Sequence, residues 1–218
     1  MRALAEAPQL MLHYTGTPYS YEMAWEYFGQ PWSEVKTSVA YRQLPMLVVD
    51  NNIRICQSGA ITRFLAQLTG LQPEDPLVRG EVDALYETSQ EMFMPLNPTI
   101  NFAVGEKFES MKSELLEQIQ PRLADFERLL SAKPDMPFFF GETPFYCDFG
   151  VFHHVNLALF LDEGLLGAYP RLREFMPTLE GLAGVREYLA NRPELIGVGT
   201  QPQLVIDGVA RPTGVTNE

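Results

Sequence analysis

Residues 43 to 70 constrain this chain more than any other stretch. Gln43-Leu44-Pro45 leads into a continuous apolar run, Met46 to Val49, the mark of a buried strand. Asp50-Asn51-Asn52 follows, and Asn tolerates the positive φ that a tight hairpin needs. In the returning strand Ile53 and Ile55 alternate with Arg54 and Cys56. Ser58 can then cap a helix in which Ile61, Phe64, Leu65 and Leu68 recur at i, i+3, i+4 and i+7, with Gly70 as its stop.

Upstream, Gln9 to Tyr14 reads as a short strand rich in large apolar side chains, and Thr15 to Pro18 as a turn. Tyr19 to Phe28 reads as a helix stopped by Gly29. Downstream, Leu71 to Pro76 makes a polar, Pro-containing linker, and everything after it has helical spacing. One long helix carries Val78, Val82, Leu85, Met92, Phe93 and Leu96 and ends before Pro98. A second runs from Phe108 to Leu130. A third starts at Thr143-Pro144, read as N-cap and first helical position. Pro170 to Leu179 and Val185 to Ala190 complete the set. Past Pro193 the chain is rich in Gly and Pro, with one apolar island at Leu204-Val205-Ile206.

The expected fold class is therefore α/β plus all-α. Residues 1–70 form a thioredoxin-like domain with its edge strand shortened or missing. Residues 71–76 are a linker, 77–195 an all-helical bundle, and 196–218 an extended tail. The formal net charge of −12 speaks against nucleic acid, which needs clustered Lys and Arg, and against an anionic membrane. No apolar run reaches the length of a membrane span, and Met1 to Pro8 lacks a secretory core. Two cysteines, Cys56 and Cys147, make no disulfide framework and fit a reducing cytoplasm. His153-His154 are adjacent and diverge on a helix, so no metal site is expected.

Four local features admit both a bland and a functional reading. Tyr14, ending the first strand, is either packing or a reactive phenol. Pro45 is either a plain strand start or a cis residue that turns the Leu44 main chain outward. Ser58 is either a simple N-cap or part of a helix start that binds a carboxylate. Trp32 and Lys36, four apart on a short helix, are either surface or a clamp for a second carboxylate.

Taken in order and spacing, Leu12 to Leu71 resembles the N-terminal domain of cytosolic glutathione transferases, particularly the sigma group with haematopoietic prostaglandin D synthase and the S-crystallins. Leu12-His13-Tyr14 through Glu22 is similar to that family's first strand, tyrosine and first-helix glutamate. Gln57-Ser58 with Ala60-Ile61, Arg63 and Leu65-Ala66 is similar to its Q-S-x-A-I-x-R-x-L-A motif. The resemblance implies roles. Tyr14 would activate the thiol of glutathione, and the Leu44 backbone, flanked by Gln43 and Pro45, would pair with its cysteinyl residue. Gln57 and Ser58 would hold the γ-glutamyl carboxylate, and Trp32 and Lys36 the glycyl one. Glu91 would reach glutathione on a partner subunit, which implies a homodimer. Glutathione is then a co-substrate, with no other cofactor, and a small hydrophobic electrophile the second substrate.

The implied activity is conjugation in the manner of a detoxification enzyme. A glutathione-dependent isomerase, or a catalytically weak binding or structural protein of S-crystallin type, is the alternative. Departures from the family pattern are Ser20 in place of an arginine before the first-helix Ala-Glu, and a chain shortened between Gly29 and Trp32. Leu204 to Val209 is expected to cover the sheet edge or the substrate pocket.

Overall fold

The computed structural model describes residues 3–202, 204–206 and 209–211. Its first element overturns an expectation: Gln9 to Tyr14 is not a strand but the body of helix α1, Glu6–Tyr14. Ala7, Leu10, Met11 and Tyr14 stand at i, i+3, i+4 and i+7 and line its inner side. Glu6 favours the positive end of the helix, and Pro8 falls in the first turn, where no N–H is needed. A reading that begins at Gln9 sees only the apolar run and loses the period.

The expected helix over Tyr19 to Phe28 shrinks to α2, Ala24–Phe28. Tyr19 is held elsewhere, its hydroxyl donating to Gln9 Oε1 at 3.2 Å and lying 3.1 Å from His13 Nε2. Helix α3, Trp32–Val35, and two 3-10 turns lead to the hairpin. Strand β1, Met46–Val49, pairs antiparallel with β2, Ile53–Cys56, in the register Met46↔Cys56 to Val49↔Ile53. Asp50 and Asn51 take φ of 51° and 57°, as the turn reading requires. Helix α4 spans Ser58–Thr69 and ends at Gly70 with φ 75°.

Helix α5, Pro76–Gln90, is capped by Asp75, whose carboxylate accepts from the Leu77 and Val78 N–H groups. The single long helix expected here breaks at Glu91 and Met92, and α6, Phe93–Asn101, carries Pro98 inside it. Pro95 sits in the first turn of α6, where a proline is tolerated. Likewise Pro121 divides the next stretch into α7, Gly105–Gln118, and α8, Gln120–Ser131. Helix α9 is Tyr146–Leu161, α10 Pro170–Glu180 and α11 Val185–Asn191. In the tail β3, Leu204–Ile206, pairs with β4, Val209–Arg211, and not with the β1–β2 sheet. The expectation that Leu204 to Val209 covers the sheet edge or the substrate pocket falls in part on residues 207 and 208 and on strand side chains, which lie outside the described residues.

Helix α9 is the axis of the molecule, buried nearly all round and packed against α1, α4, α5, α6 and α10. Thr143 does not cap it. The buried Asp148 carboxylate instead accepts from Phe145 N–H at 2.8 Å and Phe139 N–H at 3.1 Å. Burial pushes its pKa up to about 6, against the pull of those two N–H groups. On the same helix His154 Nδ1 lies 2.8 Å from the Gly150 carbonyl, and burial holds its pKa well below the usual histidine range.

Helix directions follow from the contacts. Helix α4 hands its C-terminal end to the start of α9, Tyr146 N–H bonding the Leu71 carbonyl at 3.1 Å. Helix α1 runs opposite to α9: Tyr14 packs on Phe149, one turn into α9, while Glu6 meets Arg192, which bonds Asn156 near the far end. Helices α1 and α4 therefore both begin at one end of the molecule and finish at the other.

Candidate functional site

The register pair Met46↔Cys56 sets the start of β1 beside the end of β2, so Pro45 and Gln57 are neighbours where α4 departs. The Leu44–Pro45 peptide is cis. Leu44 is 45% exposed, and among the described residues its main-chain N–H and C=O have no hydrogen-bond partner. An extended peptide could pair with both groups. Across the corner the Gln57 side-chain amide donates to Gln43 Oε1 at 3.2 Å.

The start of α4 differs from a simple cap. Ser58 is the first helical residue and Gln57 the N-cap, with no side-chain cap bond. The first intrahelical bond runs from Ile61 N–H to the Gln57 carbonyl at 3.0 Å. The N–H groups of Ser58, Gly59 and Ala60 are thus the unused donors of the helix start, beside the Ser58 hydroxyl and the positive dipole end. That set suits a carboxylate. Gln57 itself sits at φ 73°, ψ 117°, a backbone region that non-glycine residues rarely adopt. Sequence reasoning had no signal for that conformation.

Trp32 and Lys36 lie one helical turn apart, Lys36 N–H bonding the Trp32 carbonyl, with Trp32 half-buried and Lys36 exposed. The 3-10 turns carry the chain from them into Gln43. Glu91 stands at the α5–α6 junction and accepts from Arg122 Nε of α8 at 2.8 Å. Its carboxylate is already paired within the chain.

Tyr14 is not brought to this corner. It ends α1 rather than a strand, and its ring packs on Phe149 at 5.6 Å between centroids. Its neighbours lie at the C-terminal end of α4, whereas the corner lies at the N-terminal end. At 1.5 Å per residue the offset along the helices is on the order of 10 Å or more, too far for a hydrogen bond to a sulfur held near Ser58. Gly184 lies so close to the His13 carbonyl that any added Cβ would overlap it, which locks this end of α1 against the start of α11. Ala5-Glu6 opens α1, whereas Ser20 and Glu22, expected in the first helix, lie in the irregular stretch before α2.

Comparison with known proteins places this architecture. A family model described as the glutathione S-transferase C-terminal domain matches residues 91–192. Glutathione S-transferase Mu 2 of Mus musculus is 30% identical over 196 residues, covering 87% of each chain. The chain belongs to the glutathione S-transferase family. Glutathione S-transferase Mu 4 of Rattus norvegicus is 29% identical over the same share of both chains. Among solved structures, the Pi-class glutathione S-transferase of Onchocerca volvulus superposes with a TM-score of 0.78 at 26% identity, over 92% of this chain and 96% of that one. Rat hPGDS in complex with a quinoline gives 0.74 at 25% identity, over 89% and 94%. The expected fold class, a thioredoxin-like half with a reduced sheet followed by a helical half, is thereby established. Transferases of this family take glutathione as co-substrate and need no other cofactor. No described helix is long and apolar enough to cross a membrane, and no cluster of three or more metal-ligating side chains occurs among the described residues.

Proposed function

We propose that this glutathione S-transferase holds glutathione along the Leu44 main chain and conjugates its sulfur to small hydrophobic electrophiles. The carrying observation is the corner itself: an exposed Leu44 peptide, unpaired among the described residues, beside Pro45, at the point where α4 starts with the unused N–H groups of Ser58, Gly59 and Ala60. The γ-glutamyl carboxylate would sit on that helix start with the Gln57 amide, and the glycyl carboxylate near Trp32 and Lys36. Trp32, Lys36 and Pro45 keep the family's mutual spacing, and a sigma-like subclass is proposed on the resemblance of Leu12 to Leu71 alone. A cytoplasmic homodimer with a detoxifying role fits the family, and Glu91 would have to exchange Arg122 for a ligand on the partner subunit.

A thiol of pKa about 8.5 is only a few per cent thiolate at pH 7. The dipole at the start of α4 contributes about 0.3–1 kcal/mol, less than one pKa unit. That does not make thiolate dominant. With Tyr14 elsewhere, the described residues favour binding over strong activation, which keeps the catalytically weak, S-crystallin-like alternative as the second reading. Tyr14→Phe separates the tyrosine mechanism from this account. The variant should keep its affinity for glutathione and its rate of conjugation to a chloronitrobenzene within about twofold, since no transition-state contact is removed. A tenfold fall in rate with unchanged affinity would return the phenol to the reaction.

A further inference from the structure

The Glu6 side chain is 6% exposed and the Arg192 side chain 9%, and they pair across almost the whole chain. Tyr188 O–H donates to Glu6 at 3.0 Å, and Arg192 Nη2 donates to Asn156 Oδ1 at 2.9 Å. One buried node thus fastens the first turn of α1 to α9 and α11. That turn lies at the same end of the molecule as the start of α4, and α1 packs along α4, whose buried residues include Ile61 and Leu65. Shifts in the first turn of α1 must be taken up by α4, because close-packed helices have no slack to absorb them. We propose that the Glu6–Arg192 pair is a positioning node for the glutathione corner, setting where the free N–H groups of α4 point. The inference rests on the corner binding glutathione.

The pair Glu6→Gln with Arg192→Met tests it. Removing both charges of a buried pair at similar volume leaves stability nearly unchanged, whereas removing one strands the other. In the double variant, the dissociation constant and KM for glutathione should rise five- to tenfold, with kcat within twofold and the melting temperature close to wild type. Arg192→Lys, which keeps the charge but not the two-pronged geometry, should fall between wild type and the double variant. A folded double variant with wild-type affinity would overturn the node. If the double variant does not fold, Arg192→Lys alone decides: affinity weakened at least twofold supports the node, and unchanged affinity overturns it. Failure of the wild-type chain to bind glutathione would instead remove the corner assignment on which the node depends.

Discussion

Asp148→Ala should lower the melting temperature by roughly 6–12 °C. The carboxylate is fully buried and accepts from the Phe139 and Phe145 N–H groups, joining the loop before α9 to the first turn of that helix. Alanine leaves both donors buried without a partner. Bonds of this kind are worth about 1.5 kcal/mol each, or about 3 kcal/mol together, and each kcal/mol shifts a chain of this size by about 2–4 °C. Asp148→Asn keeps one acceptor oxygen and should recover about half of the loss. The pH dependence has a definite sign. The folded pKa, about 6, lies above the ordinary 3.8, so the aspartate contribution is greatest at low pH and declines as pH rises between those values. The gap between wild type and Asp148→Asn should therefore narrow from pH 4 to pH 7. Thermal unfolding of both variants across that range is the check, and a loss below 2 °C for alanine would show that α9 does not depend on this cap.

Gln57→Gly should uncouple stability from binding. A glutamine at φ 73°, ψ 117° carries backbone strain of about 1–3 kcal/mol, and glycine relieves it at an entropic cost of up to about 1 kcal/mol. The variant should be as stable as wild type or slightly more so. It loses the amide that bonds Gln43 and that would bond a carboxylate. A hydrogen bond to a charged group is worth about 1.5–3 kcal/mol, so affinity for glutathione should fall about 10- to 100-fold. Calorimetric titration and thermal unfolding of the same preparation measure both. Strain retained at a position where its removal costs only binding is strain kept for the ligand. Undiminished affinity would show that Gln57 does not touch glutathione.

The corner was legible because its information is local. A proline before an apolar run, two asparagines, and a serine opening an i, i+3, i+4 pattern each constrain their own few residues, and the hairpin register then brings Pro45 to Gln57 without help from distant contacts. The long helices were legible by period, but their breaks were not. Pro95 and Pro121 fall in first turns, where a proline is tolerated, and so restart helices rather than end them. The first element failed for a different reason. Leu10-Met11-Leu12 is continuous, because α1 is covered by α4, α9 and α11, and a continuous run does not distinguish a buried strand from a helix buried on several sides. Assigning it as a strand placed Tyr14 at a strand end. The signal that could have prevented it was Ala5-Glu6-Ala7-Pro8, a helical first turn. The Glu6–Arg192 pair, between residues 186 apart, had no sequence signature at all.

A crystal structure of the wild-type chain soaked with glutathione addresses the central claim most directly. The tripeptide should lie extended against the Leu44 main chain, with one carboxylate on the Ser58 end of α4 and the Tyr14 ring still against Phe149. Glutathione bound anywhere else on the molecule, or with its sulfur against the Tyr14 hydroxyl, would contradict the account.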